Sequence, residues 1–200
     1  MTGLMDANEA VVVLNDGGVV ALPTDTVYGI GASLGFPDAV AALFTLKRRP
    51  RTVALPVLVS SVEQIESLGV EWDERARKLS DAFWPGALTI VVEAPSHLAE
   101  LVGGTNSTVG FRCPDDELLL GVLERCGPLA LTSANGHGEV PCESAAQVRE
   151  AFDGEHGLDG VLDGGERSGR VSTVVDLSGG TYRFVRDGAI TQSALLSVLG

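Results

Sequence analysis

Four of the chain's fourteen basic residues fall in one five-residue stretch, Lys47-Arg48-Arg49-Pro50-Arg51. A lysine point charge beside an arginine fork suits a polyphosphate. A solvated helix end, where cations favour the C-terminal dipole, is the plain alternative. Arg112 closes the apolar run Val109-Gly110-Phe111, and Arg186 stands in Arg186-Asp187-Gly188. A cation at the end of an apolar strand either emerges into a site or pairs with an acid. Neutral groups accompany these charges. If the backbone after Pro23 stays extended, Thr24, Thr26 and Tyr28 present three hydroxyls on one face, with Asp25 and Val27 on the other. In Leu131-Thr132-Ser133-Ala134-Asn135-Gly136, the Ser133 and Asn135 side chains share a face and can donate to phosphate or ribose oxygens. The glycine-rich, charged stretch from Asp163-Gly164-Gly165 to Arg170 feeds the Val-rich run Ser172-Thr173-Val174-Val175-Asp176, as a closing lid or a long surface turn would.

Several familiar devices are missing. Gly29-Ile30-Gly31 lacks the third glycine spacing and the downstream acid of a dinucleotide fingerprint, and neither lysine follows a glycine as a P-loop requires. No Gly-x-Ser-x-Gly surrounds Ser133. His97, His137 and His156 match no metal spacing.

The elements that must position these groups follow from patterning. Helices are expected at 6–16, 38–48, 62–68, 73–83, 115–126, 144–152 and 191–199. Strands are expected at 19–23, 55–59, 87–93, 108–113, 129–133, 160–163, 172–177 and 182–186. Asp6 and Glu9 form a capping-box signature, and Pro50 ends the helix that carries Lys47. Interleaved helices and strands predict one α/β domain over residues 1–200, built around a mixed sheet flanked by helices. The net charge of −13 excludes binding nucleic acid through a general field, so any anion contact is local. Cys113, Cys126 and Cys142 fit a reduced compartment as small buried hydrophobes, and neither a signal peptide nor a membrane span is expected. A cytoplasmic location is expected.

Taken in order, Pro23-Thr24-Asp25-Thr26-Val27-Tyr28-Gly29, Lys47-x-Arg49-Pro50, Trp84-Pro85-Gly86-Ala87-Leu88-Thr89, Arg112-x-Pro114, Ser133-Ala134-Asn135, Ser172-Thr173-Val174-Val175-Asp176 and Arg186-x-Gly188 resemble the YrdC-like threonylcarbamoyl-AMP synthase family, in its form without an extra C-terminal domain. The resemblance implies a twisted α/β fold with a large basic cavity. It also implies that Thr26, with Tyr28 beside it, contacts threonine, and that Arg112 and Ser172 bind the threonine or carbamate carboxylates. Lys47, Arg49, Ser133 and Asn135 become the catalytic tetrad on the nucleotide, with Thr108 and Arg186 as further nucleotide contacts. Departures occur at Val53-Ala54-Leu55-Pro56, Leu58, His137-Gly138 and Pro141-Cys142.

The implied reaction joins L-threonine, bicarbonate and ATP, with Mg²⁺ on the phosphates, for a downstream tRNA threonylcarbamoyl-transfer machinery. An RNA-binding module using the same cavity for a tRNA contact is the main alternative. A carbamoyl-phosphate-dependent domain of hydrogenase maturation factors and a riboflavin-pathway synthase relative are two others. The first of these lacks its zinc-finger cysteines here, and the second its acidic metal pair.

Overall fold

The chain's Val- and Leu-rich runs alternate between two apolar faces. In β2 (Val20–Leu22), Val20 and Leu22 join one core cluster while Ala21 joins the other; in β7 (Leu129–Ser133), Leu129 and Leu131 split from Ala130 in the same way. A strand buried on both sides belongs to a sheet covered on both sides. The computed structural model describes residues 3–104, 106–136 and 139–200, so the His137-Gly138 pair lies outside the described residues.

Among the described residues the sheet has ten strands, completed by β1 (Leu4–Met5), β3 (Gly29–Ser33), β4 (Val57–Leu58), β5 (Leu88–Glu93), β6 (Thr108–Arg112), β8 (Gly160–Leu162), β9 (Thr173–Asp176) and β10 (Arg183–Arg186). Their order is β1-β8-β2-β3-β7-β4-β6-β5-β9-β10. Parallel pairs (β1/β8, β8/β2, β4/β6, β5/β9) mix with antiparallel ones, so the expected mixed α/β sheet is what forms.

One face is covered by α1 (Ala7–Asn15) and α6 (Glu117–Cys126), through Ala10, Leu14, Leu119 and Leu123. The other face packs against α2 (Pro37–Leu46), α3 (Val62–Ser67), α4 (Glu74–Phe83), α5 (Ser96–Leu101), α7 (Ala145–Ala151) and α8 (Gln192–Leu199). The capping box of α1 is present, with Asp6 accepting from the Asn8 and Glu9 amides and Glu9 accepting from the Asp6 amide.

The cavity arises because the first face is only half covered. In β6, Val109 and Phe111 enter the helix-covered core, which turns Thr108, Gly110 and Arg112 to the opposite side. In β5, Leu88 and Ile90 likewise face the core while Thr89 and Val91 face away. Over this half of the sheet the smaller core cluster ends, and the exposed floor lines two pockets of about 160 and 410 Å³ that share Arg49, Pro56, Thr89 and Arg186.

Three elements were not expected from the sequence: β1, β3 and α5. The Gly29-Ile30-Gly31 run has little strand propensity of its own. It becomes β3 because β2 and β7 flank it, and Gly29 is required there. A Cβ on Gly29 would sit 2.3 Å from Leu131 Cδ2 and 2.9 Å from the Thr132 carbonyl oxygen.

Candidate active site

Helix α2 delivers the first cations. It ends in a Schellman turn: the Arg48 amide donates to the Thr45 carbonyl (3.0 Å), the Arg49 amide to the Phe44 carbonyl (2.8 Å), and Arg48 adopts a φ of 51°. This turn sends Lys47 inward, where it is buried, and Arg49 to the cavity wall. Lys47 Nζ donates to the Ser133 carbonyl (2.7 Å), to Ser133 Oγ (3.0 Å) and to Asn135 Oδ1 (2.9 Å). Burial, reinforced by the Arg49 charge, lowers the Lys47 ammonium to about 8. Asn135 spends its own donors on the Gly136 and Glu139 carbonyls. Asn135 therefore shapes its loop and orients Lys47, while Ser133 also lines the cavity.

Arg49 is held by the Val53 and Ala54 carbonyls (2.9 and 2.8 Å). Arg186, from β10, donates to the Ser172 carbonyl (3.0 Å) and to Ser172 Oγ (2.8 Å), and Ser172 Oγ lies 3.0 Å from Thr89 Oγ1. Burial lowers both guanidinium groups below their ordinary value. Arg186 adds to the effect on Arg49, and Arg112 to that on Arg186. Thr108 lines the larger pocket beside Arg49 and Arg186.

Thr26 and Arg112 meet, with Arg112 Nη1 3.3 Å from Thr26 Oγ1. The extended run from Pro23 to Tyr28 does not form. Thr24 Oγ1 accepts from the Thr26 and Val27 amides, donates to the Val27 carbonyl (2.6 Å) and lies 2.9 Å from Thr26 Oγ1, folding the segment into a hydroxyl-closed turn. Two outcomes differ from simple alternation. Asp25 turns onto Arg112, with Oδ1 2.6 Å from Nη2. Tyr28, fully buried, donates its hydroxyl to the Gly165 carbonyl (2.8 Å) and accepts from the Gly164 amide (3.0 Å). Burial raises its phenol above the ordinary value of 10.0.

Tyr28 thereby anchors the 163–171 loop. The Gly169 amide donates to the Thr26 carbonyl (2.8 Å), the Arg167 amide to the Glu143 carbonyl (2.7 Å), and Arg167 pairs with Asp116 (2.8 Å). The stretch read as lid or surface turn is thus strapped against the threonine-rich turn. Tyr28→Phe is expected to cost about 1 kcal/mol in stability. It should also speed tryptic cleavage after Arg167 or Arg170, read by urea denaturation and limited proteolysis; unchanged nicking would contradict the anchoring role.

Sequence reasoning missed Asp25 and Thr89 as site residues, and three glycines that allow close backbone approach: Gly86, Gly169 and Gly188. Gly86 donates its amide to the Cys113 carbonyl, and its own carbonyl accepts from Arg112 Nε (3.0 Å). The motif containing Gly86 and Thr89 was a detectable signal, but its contribution to the site depends on where β5 lies beside β6 and β9. Cys113 and Cys142 are buried free thiols, and burial pushes Cys113 up to about 11.

The sheet with one half-bare face, floored by hydroxyls and ringed by Arg49, Arg112 and Arg186, defines an α/β protein with a cation-lined cavity. Residues 12–188 match the model of the Sua5/YciO/YrdC family, described as telomere recombination, and the chain belongs to that family. It is 42% identical over 193 residues to a Mycobacterium tuberculosis protein with a provisional threonylcarbamoyl-AMP synthase name, covering 96% of this chain and 88% of that one. It is 36% identical over 189 residues to the threonylcarbamoyl-AMP synthase of Pyrococcus abyssi, covering 94% of this chain and 55% of the relative's length. The crystal structure of P. abyssi Sua5 complexed with L-threonine superposes with a TM-score of 0.90 at 36% identity, over 97% of this chain and 57% of that chain. The chain thus spans little more than half the length of its P. abyssi relatives.

Proposed function

We propose that this chain is a threonylcarbamoyl-AMP synthase, converting L-threonine, bicarbonate and ATP into threonylcarbamoyl-AMP and pyrophosphate for tRNA modification. One observation carries the reading. The chain has 27 carboxylates against 14 Lys and Arg, yet Lys47, Arg49 and Arg186 are held only by neutral oxygens. Among the described residues, no carboxylate comes within ion-pair distance of these three. Lys47 is buried and Arg49 half-buried, and cations without counter-ions among the described residues of so acidic a chain keep their attraction for an incoming anion.

Placement supports the following roles. Thr26 and Arg112 take the amino acid at the smaller pocket, with Ser172 on the carboxylate side and Tyr28 holding the loop behind them. Lys47, Arg49, Ser133 and Arg186 face the phosphates, Asn135 supports Lys47, and Thr108 stands by the nucleoside in the larger pocket. Threonine's amine and bicarbonate give a carbamate reversibly. A carbamate oxygen attacks the α-phosphorus of ATP, the bond to the β-phosphate oxygen breaks, and pyrophosphate carries away the electron pair. The protein supplies no covalent nucleophile. Holding two anions in line can supply ~7–11 kcal/mol of the barrier, and fixed cations stabilise the developing charge. Mg²⁺, expected with ATP as part of the substrate, would neutralise part of the phosphate charge.

No helix among the described residues is long and apolar enough to cross a membrane. Together with the free thiols, this supports the cytoplasmic placement. The acidic balance disfavours the RNA-binding reading, in which affinity would fall steeply with salt. The test is pyrophosphate release from Mg-ATP by purified protein, with threonine and bicarbonate omitted in turn. Release that needs both is expected; ATP left untouched in every mixture would overturn the proposal.

A further inference from the structure

Among the described residues, Arg112 is the one of Lys47, Arg49, Arg112 and Arg186 that pairs with a carboxylate. Its side chain and that of Asp25 are 8% and 13% exposed, and they meet at 2.6 Å. Arg112 is also gripped from two other sides, by the Gly86 carbonyl at Nε and by Thr26 Oγ1 at Nη1. These three contacts use three of the five donors of a guanidinium and leave the remaining Nη protons for a ligand. The partner set differs in kind from that of Arg186, which has only the Ser172 carbonyl and hydroxyl.

We propose that Asp25 is a positioning and charge-selecting residue: it fixes the plane of the Arg112 guanidinium and offsets its charge, so that this end of the cavity takes a mono-anionic amino-acid carboxylate and not a polyphosphate. The inference rests on the synthase reading. Two anionic substrates share one cavity, and a polyphosphate with several charges would otherwise prefer any uncompensated arginine within reach. With Arg112 offset by Asp25, the uncompensated charge lies on Lys47, Arg49 and Arg186, and the phosphates are drawn there. The remaining Arg112 donors still recognise a carboxylate by hydrogen bonding. Asp25 is a positioning residue, since it acts through Arg112.

The test is calorimetric binding of threonine and of inorganic pyrophosphate to wild type, Asp25→Asn and Asp25→Glu, with steady-state kinetics alongside. Asp25→Asn is expected to weaken threonine binding and raise its KM by about tenfold, leaving the KM for ATP within about twofold. Pyrophosphate should bind the variant more tightly and begin to compete with threonine. Asp25→Glu keeps the charge at a longer reach and should recover most of the threonine affinity without the pyrophosphate gain.

Unchanged threonine binding in Asp25→Asn would overturn the proposal, and so would a parallel loss for threonine and ATP with a lowered unfolding midpoint. If the Asn variant does not fold, threonine affinity in Asp25→Glu no better than in Arg112→Ala overturns it equally. Wild-type protein that binds threonine but releases no pyrophosphate would sink the synthase reading, while the binding shifts still decide the role of Asp25.

Discussion

Lys47→Ala is expected to lower threonine-dependent pyrophosphate release by about 10²–10³-fold, the range seen when one preorganised charge-stabilising group is removed. Among the described residues the ammonium has no carboxylate partner; its acceptors there are the Ser133 carbonyl, Ser133 Oγ and Asn135 Oδ1. Removing it strands those acceptors in a buried site, a loss of about 1–3 kcal/mol that a domain of ordinary stability survives. Folding is checked by circular dichroism and a denaturation midpoint. Wild-type turnover in a folded variant would end the phosphate role.

The wild-type pH profile probes the same group. Lys47 sits at about 8 in the folded chain against an ordinary 10.5, so its charge is lost in the native state as pH rises through about 8. ATP affinity should fall across that point. Its contribution to stability moves the opposite way. Between about 8 and 10.5 the unfolded chain holds more protons than the folded one, so folding gains stability as pH rises through that window. Affinity falling while the Lys47-dependent part of stability rises distinguishes this group from general alkaline unfolding. The comparison is wild type against Lys47→Met.

The second large effect is expected at Gly188. A Cβ there would meet the Ser172 carbonyl carbon, the Thr173 nitrogen and the Val171 carbonyl oxygen, each at 2.4 Å. All three are backbone atoms, so no side-chain rotation relieves the clash. β9 and β10 would have to separate at the point where Arg186 reaches back to Ser172. Gly188→Ala is therefore expected to destabilise the fold by about 1–3 kcal/mol through overpacking. A displacement of about 1 Å in the Arg186–Ser172 pair is expected to reduce turnover by about 10²-fold. Urea denaturation and initial rates measure the two effects. A variant with wild-type rates would show that Gly188 is tolerated for reasons other than close packing.

The sequence by itself determined most of the elements and the residue types of the candidate site. Alternation in Thr108-Val109-Gly110-Phe111-Arg112 sends Arg112 to the face opposite Val109 and Phe111, and Pro50 ends the helix that carries Lys47. Both are local rules, of strand period and of proline sterics, and they hold whatever the rest of the chain does. What only the tertiary structure decided is what each group meets. Asp25 lies against Arg112 because the Thr24 hydroxyl closes a turn that breaks the alternation. Tyr28 holds the 163–171 loop with its hydroxyl, because β3 forms between β2 and β7 and carries the ring inward. Gly86, Gly169 and Gly188 matter through backbones distant in sequence or folded back on themselves, and no local pattern records such contacts. Pairing partners are set by sheet order, which depends on the burial of the whole chain, so the chemistry was legible while its wiring was not.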